Sequence, residues 1–231
     1  MTASPADLRA LLCGRPIAHR GLWRPKGAPE NSLAAFEAAC AGGYGVELDV
    51  RLSADGEAMV FHDDDLWRMT GAVGRMIDRP AADLCALRLG RSRETIPTLA
   101  QTLACIAGRS LLLVELKTPP GAEGPLETRV AELLDAYAGP VAVIGFNPAA
   151  HAWFAEHRPE VVRGLNLDRL DGAVAAIAEA RPLFLAPSKR LLPLPPSLGV
   201  FRQVVWTVRT RLEAKALADK ADNIIFEGFQ P

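Results

Sequence analysis

The chain has 231 residues, and 26 Lys and Arg nearly balance 27 Asp and Glu, for a formal net charge of −1 at pH 7. The basic residues are dispersed, which argues against a nucleic-acid-binding face. No apolar run reaches the roughly 20 residues that a membrane span requires, so stable membrane insertion is not expected. The length suits one α/β barrel, which commonly needs about 250 residues.

The cysteines and the N-terminus bear on the compartment of the protein. The four cysteines lie far apart with no Cys-x-x-Cys pair, which argues against a disulfide framework or a zinc site. We expect them to fill small spaces in the core of a protein kept under reducing conditions. Asp7 and Arg9 interrupt the apolar character of residues 1–14, so a signal peptide is not expected. The prediction is a cytoplasmic protein, although a chain that had lost its leader would look the same.

The first predicted elements lead to the start of a barrel. Residues 4–13 predict a short helix across the bottom of the barrel, and residues 16–19 predict the first strand. Asn31 or Ser32 can cap a helix, which the pair Gly42-Gly43 ends.

The next stretch predicts two strands joined by a tight turn. Residues 45–52 alternate between apolar and polar side chains, and residues 57–62 follow the turn at Asp55-Gly56. Parallel strands need a long crossover, usually a helix, and this connection is too short for one. We therefore expect one barrel helix to be missing here.

The rest of the chain alternates strands and helices after one interruption. Residues 64–95 do not follow a clean pattern, so we expect a small insertion there. Beyond it we predict helices at 97–106, 126–137, 149–157, 171–180 and 210–220, with strands at 110–118, 141–146, 161–165, 183–186, 203–208 and 223–226. Such alternation indicates βαβ units and a parallel sheet in a single domain, residues 1–231. Nine strand candidates compete for eight places in a barrel.

Acidic side chains fall on one face of two predicted strands. Glu47 and Asp49 share a face of the strand at 45–52, and Glu115 shares a face with Lys117 on the strand at 110–118. Inward-facing acids are costly unless something positive lies between them. Three oxygen donors without sulfur suit a hard cation such as Mg²⁺ or Ca²⁺. The alternative is that they are ordinary exposed strand acids.

Histidine and arginine occur at the same predicted strand ends. His19 and His62 each end an apolar run, and an imidazole with an unperturbed pKa of about 6.5 can accept or donate a proton near neutrality. Arg20 can grip a phosphate through two parallel hydrogen bonds, and Lys117 can act as a point charge. The alternatives are core histidines with satisfied hydrogen bonds, and salt bridges that only neutralise the acids.

Seven short motifs occur in one order between about residue 16 and residue 208. They are His19-Arg20-Gly21, Pro29-Glu30-Asn31, Glu47-Leu48-Asp49-Val50, His62-Asp63, Ile96-Pro97-Thr98-Leu99, Glu115-Leu116-Lys117 and Trp206-Thr207-Val208. In this order they resemble the glycerophosphodiester phosphodiesterase family. The resemblance implies a TIM-type (β/α)8 barrel of the PLC-like phosphodiesterase kind, with the insertion at about 64–95 following the third strand and lying over the barrel mouth.

The same resemblance implies an activity in lipid and glycerol metabolism. It is the metal-dependent hydrolysis of glycerophosphodiesters to glycerol 3-phosphate and an alcohol, with His19 and His62 as the acid–base pair. We take His19 as base and His62 as acid, and the reverse order stays open as the alternative. Glu47, Asp49 and Glu115 would hold the divalent ion. Our candidate substrate-binding residues are the cations Arg20 and Lys117, Glu30 beside Arg20, and the rings of Phe146 and Trp206 at the ends of late strands.

Several alternatives stay open at this point. Glu30 can simply orient Arg20, while Phe146 and Trp206 can simply fill the core. The substrate can be a lysophospholipid or a diester with another head group, and a barrel that binds phosphate esters without catalysis is a further candidate. The chain departs from the family at Arg209, where Asn is usual, and at residues 226–231, where Thr-Asp followed by Pro is usual. Both departures border the mouth and bear on the choice of substrate.

Overall fold

A computed structural model describes residues 10–231. The predicted helix at 4–13 therefore lies mainly outside the described residues. Nine strands form one sheet: β1 (Ile17–Ala18), β2 (Gly45–Leu52), β3 (Ala58–Val60), β4 (Leu112–Leu116), β5 (Val141–Gly145), β6 (Val162–Leu167), β7 (Phe184–Pro187), β8 (Arg202–Val208) and β9 (Asn223–Phe226). Strand β1 pairs in parallel with both β2 and β9, which closes eight parallel strands into the predicted barrel.

The described residues contain eight helices. They are α1 (Leu33–Ala41), α2 (Trp67–Thr70), α3 (Ala81–Cys85), α4 (Leu99–Ile106), α5 (Pro125–Asp135), α6 (Pro148–His157), α7 (Ala173–Ala180) and α8 (Arg211–Leu217), with 3₁₀ turns at Met76–Asp78 and Lys189–Leu191. Six of these eight helices cover the outside of the barrel, while α2 and α3 belong to the segment after β3. Ser32 caps α1 by accepting a hydrogen bond from the main-chain N–H of Ala35. Thr98 and Gln101 form a capping box at the start of α4. The predicted cap at Ser32 is confirmed, whereas α4 begins at Leu99, two residues after its predicted start.

Strand β3 is the surplus ninth strand. It runs antiparallel to β2, with Val60 opposite Val50, so the tight turn before it needs no crossover. Our expectation that the barrel lacks a helix at this point was wrong. Strand β4 is the next barrel strand after β2, and α4 supplies the crossover between them. Among the described residues, the crossover without an α-helix is the one from β7 to β8, which contains only the 3₁₀ turn Lys189–Leu191.

The barrel interior is apolar at the bottom and polar at the mouth. Alternate residues of each strand point inward, and the lower ones form a buried cluster that includes Leu113, Ala142 and Phe184. Gly164 leaves room for Phe184, because a Cβ at this position would lie 2.3 Å from the aromatic ring. Polar inward-facing side chains lie nearer the carboxyl ends of the strands, and they line the mouth of the barrel.

The segment after β3 lies beside the mouth. Its helices α2 and α3 pack over a small separate core that includes Met59, Phe61 and Met76. The main-chain N–H of Ala34, in the first turn of α1, donates to the carboxylate of Glu94 over 3.0 Å, which ties the segment to the mouth side of the barrel. Among residues 10–231, none of the helices has the length and apolar character needed to cross a bilayer.

Candidate active site

Three buried carboxylates converge at the carboxyl ends of β2 and β4. Glu47, Asp49 and Glu115 are 1%, 0% and 7% exposed, and one oxygen from each lies within 4.8 Å of the others. Asp49 lies directly opposite Glu115 in the parallel register, and Glu47 is two residues before Asp49 on the same face. The convergence therefore follows from strand pairing and from the two-residue repeat of a strand.

Asp49 is surrounded by donors and cations. Lys117 Nζ lies 2.9 Å from Oδ1, Arg20 Nε lies 3.2 Å from Oδ2, and Asn31 Nδ2 donates to Oδ2 over 2.8 Å. Burial alone would raise the pKa of Asp49, but Lys117 and then Arg20 outweigh it and hold the pKa well below its usual range. Lys117 also pairs with Glu115. Asp49 is therefore an ionised carboxylate held in place on both oxygens.

Glu47 is poorly compensated by protein groups. Its Oε2 accepts a hydrogen bond from the main-chain N–H of Arg20 over 2.9 Å, while its buried Oε1 finds no hydrogen-bond partner among the described residues. Burial and then the neighbouring Asp49 raise the pKa of Glu47 to about 8. A buried carboxylate oxygen without a donor, next to two more carboxylates, fits a divalent cation bound by oxygen ligands. The acidic triad can thus hold a metal ion.

His19 is oriented by a carboxylate from the last strand. Its Nδ1 lies 2.7 Å from Glu227 Oε2, and the other oxygen of Glu227 accepts from Arg209 Nε over 2.6 Å. The hydrogen bond from His19 lowers the pKa of Glu227 to about 2, so this carboxylate can only accept and Nδ1 carries the proton. Nε2, which lies 4.0 Å from Glu47, is left for a ligand. Burial lowers the pKa of His19, yet Glu47 and Glu227 outweigh burial and raise it overall.

His62 has a matching arrangement on the other side. Its Nδ1 lies 2.7 Å from Asp63 Oδ1, and Asp63 is held in turn by Arg68. Burial lowers the pKa of His62, and the contribution of Asp49, which opposes this, is too small to reverse it. Arg68 also donates to Glu30 over 2.7 Å, and Glu30 accepts from Arg20 over 2.8 Å. A chain of alternating charges therefore links the loop of His62 to that of His19.

One cavity of about 220 Å³ joins these groups. Its walls include both histidines, Arg20, Lys117, Phe146 and Trp206, together with Asn166 and Arg209. Phe146 and Trp206 meet edge to face with ring centres 5.6 Å apart, and Trp206 Nε1 is anchored on the carbonyl of Ala186. A larger open groove of about 770 Å³ lies between the starts of β7 and β8 and the end of α8, and none of the predicted site residues line it.

The predicted site residues therefore come together, and all but two of them line the cavity. Asp49 is fully buried within the acidic triad, and Glu30 instead holds Arg20 and Arg68. Asn31, considered from the sequence only as a cap, binds Asp49 with its backbone at φ 55°, while Ser32 does the capping.

Sequence reasoning missed Glu227 and the role of Asp63. Glu227 directly follows the last predicted strand, residues 223–226. This position could have indicated that its side chain lies at the barrel mouth.

The sequence profile of the glycerophosphoryl diester phosphodiesterase family matches residues 19–165. The chain is 35% identical to a glycerophosphodiester phosphodiesterase of Caldanaerobacter subterraneus over 50% of this chain and 52% of the relative. It is 33% identical to a glycerophosphodiester phosphodiesterase of Bacillus altitudinis over 63% of each. The chain thus spans about half to just under two thirds of the length of these relatives.

Solved structures match over nearly the whole chain. An Oleispira antarctica phosphodiesterase in complex with the product sn-glycerol-3-phosphate superposes with a TM-score of 0.85 at 27% identity, covering 94% of both chains. A glycerophosphodiester phosphodiesterase of Thermotoga maritima has the same fold, with a TM-score of 0.76 at 23% identity over 92% of this chain and 94% of its own. Because the family profile covers well over half of the sequence, the chain belongs to the glycerophosphoryl diester phosphodiesterase family.

Proposed function

We propose that the protein hydrolyses glycerophosphodiesters to glycerol 3-phosphate and an alcohol, as a phosphodiesterase that depends on a divalent cation. The observation that carries the proposal is a cluster of three carboxylates within 4.8 Å of one another, two of which line one cavity together with His19 and His62. Family membership and the product seen in the Oleispira antarctica structure support it. Binding of a phosphate ester alone would need no pair of oriented imidazoles.

Glu47, Asp49 and Glu115 would hold the cation, Mg²⁺ or Ca²⁺. When bound, such an ion supplies positive charge that polarises the phosphate. Arg20 and Lys117 add donors for the anionic oxygens, where charge grows in the transition state. Arg20 is suited to this task because Glu30 fixes its guanidinium at 2.8 Å, so no reorganisation is needed when the phosphate arrives.

The two histidines would move the protons. The hydroxyl next to the phosphate-bearing carbon of glycerol attacks phosphorus, and His19 Nε2 takes the hydroxyl proton as the new P–O bond forms. The bond to the leaving alcohol breaks, and His62 supplies the proton that the alkoxide needs. A cyclic phosphate results. Water then opens it, with each histidine working in reverse.

The carboxylates behind the histidines make this assignment possible. Glu227 and Asp63 hold the Nδ1 protons, so Nε2 of each ring is free to exchange a proton with the substrate. Glu47 is the largest influence that raises the pKa of His19, and a cation bound by Glu47 offsets that influence. His19 can then be neutral and accept a proton, which favours His19 as base and His62 as acid.

The aromatic pair supports a role in binding the alcohol. Phe146 is 44% exposed at the end of β5, so its ring is available to a ligand, and Trp206 supports it from β8. We include both as substrate-binding residues.

We further propose that residues 1–231 form one catalytic domain that acts on small phosphodiesters in the cytoplasm, with residues 64–95 beside the mouth.

An assay of metal dependence and head-group choice tests the proposal. Glycerophosphocholine and glycerophosphoethanolamine are incubated with the chelated protein, with Mg²⁺, Ca²⁺ or Mn²⁺ added back, and glycerol 3-phosphate is measured. We expect product only in the presence of a divalent ion. Product formation that EDTA leaves unchanged would contradict the metal assignment, and metal-dependent ester binding with no product after long incubation would favour a binding protein.

A further inference from the structure

A second cavity lies next to the catalytic one and has a different character. It has a volume of about 290 Å³ and lies between the end of β2, the 3₁₀ turn Met76–Asp78 and the loop from β4 to α5. Its apolar lining comes from Leu52, Met76, Ile77, Pro119, Ala122 and Leu126. Apolar cavities of about this size are typical of small-molecule sites, and none of the residues that we propose for the chemistry is needed to form it except Lys117.

The polar side chains around this cavity already have protein partners. Arg51 Nε donates to the carbonyl of His62 over 2.8 Å, and its Nη1 lies 3.5 Å from Asp64. Arg75 pairs with Asp78 at 2.9 Å, and Thr118 donates its hydroxyl to Glu127. Few donors or acceptors remain for an incoming polar group. A ligand would gain mainly by covering apolar surface, which favours a hydrocarbon.

The two cavities share a wall. Lys117 borders both, and its ammonium group lies in the catalytic cavity between Asp49 and Glu115. Arg51 links the apolar cavity to the main chain of His62. The apolar cavity therefore lies directly beside the place where Lys117 would meet the phosphate, and its rim carries Ile77 at 40% exposure.

We propose that this cavity binds an aliphatic chain carried by the phosphodiester substrate. The inference rests on the proposed function, and it makes single-chain lipid diesters better substrates than glycerophosphocholine. The chain can come from an acyl group on the glycerol, as in a lysophospholipid, or from an alkyl alcohol as leaving group. Either source places the same hydrocarbon against Met76, Ile77 and Leu126, and hydrolysis proceeds as proposed above, with the same P–O bond broken.

Two homologous series tell the sources apart. Short-chain lysophosphatidylcholines and glycerophospho-n-alkanols, both kept below micelle-forming concentrations, are compared with glycerophosphocholine. In the series that uses the cavity, kcat/KM should rise about threefold to fourfold for each added methylene until the cavity is full. Calorimetry with n-alkyl phosphates as probes reports the same chain-length dependence in Kd and needs no turnover.

Two variants localise the effect. Ala122→Trp fills the cavity from an exposed loop position and should flatten the chain-length dependence of both kcat/KM and Kd. Ile77→Ser, at the rim, should weaken it. Ala175→Trp, exposed on α7, makes the same exchange away from the cavity and should keep the wild-type dependence.

The inference would be overturned if kcat/KM in both series and Kd of the alkyl phosphates did not change with chain length. It would also be overturned if Ala122→Trp kept the wild-type dependence on chain length. If glycerophosphocholine is hydrolysed, either result leaves the proposed function standing. If no diester is hydrolysed while alkyl phosphates bind more tightly with length, and Ala122→Trp removes that gain, the cavity is upheld and the proposed hydrolase fails.

Discussion

The hydrogen bond between His19 and Glu227 is the most informative contact to perturb, because it joins the first barrel strand to the last. Glu227→Gln keeps the size of the side chain and removes its charge. Hydrogen bonds to charged groups contribute about 1.5–3 kcal/mol. If that contribution is realised in the transition state, kcat should fall about 10- to 150-fold.

The expected loss has a second signature. Glu227 is one of the two groups that raise the pKa of His19 most, through a contact of 2.7 Å. Removing its charge should shift the His19 limb of the profile of kcat/KM against pH towards lower pH. The assay measures glycerol 3-phosphate from glycerophosphocholine between pH 5 and 9, flanking the usual imidazole pKa of about 6.5.

The matched control is Glu132→Gln, the same exchange at an exposed position on α5, where the carboxylate pairs with Arg129 away from the cavity. Glu227→Asp should recover part of the activity, because it restores a charged acceptor on a shorter stem. Wild-type kcat together with an unmoved pH profile in Glu227→Gln would refute the view that Glu227 positions His19.

Three further predictions follow from the histidines and from the core. His19→Ala or His62→Ala should reduce kcat by about 10²- to 10⁴-fold with an unchanged circular dichroism spectrum, and near-normal turnover in either would count against the acid–base pair. Gly164→Ala should destabilise the protein by about 1–3 kcal/mol in urea unfolding, since the new methyl group must displace the buried ring of Phe184, and an unchanged midpoint would show that the ring yields freely. Burial lowers the pKa of His151 from 6.5 to about 4, so as the pH falls the unfolded chain takes up a proton at this residue before the folded protein does. The stability that is present above pH 6.5 is therefore lost as the pH falls towards 4. That loss amounts to about 3 kcal/mol and should vanish in His151→Gln, and an equal pH dependence in both proteins would disprove it.

The barrel could be predicted largely because period-two and helical patterns are local. The bounds of β2 were predicted as residues 45–52, since a glycine pair precedes the strand and strict alternation runs to Leu52. The two-residue repeat does not give the direction of β3, because antiparallel and parallel strands share it. The signal was the short turn at Asp55-Gly56, which joins antiparallel strands, and we took it instead as a missing barrel helix.

In the candidate site, too, the features that depend on local sequence patterns could be predicted, and those that depend on tertiary contacts could not. The side-chain repeat alone predicts that Glu47 and Asp49 share a face, and their convergence with Glu115 needs only that β2 and β4 be neighbours. Glu227 was missed because its partner, His19, is 208 positions away and becomes adjacent only when β9 pairs with β1. Asn31 was ambiguous because Ser32 beside it is an equally good cap, and its contact with Asp49 depends on tertiary structure.

The central claim is that carboxylates from two strands share one cation. Calorimetric titration of chelated protein with Mg²⁺, Ca²⁺ and Mn²⁺ tests it directly, with Glu47→Gln as the variant and Glu132→Gln as the control. We predict one ion bound by the wild type and by the control, and binding weakened at least about tenfold in Glu47→Gln, the size of loss usual when the groups around a metal are altered. No binding to the wild type, or undiminished binding to Glu47→Gln, would contradict the account.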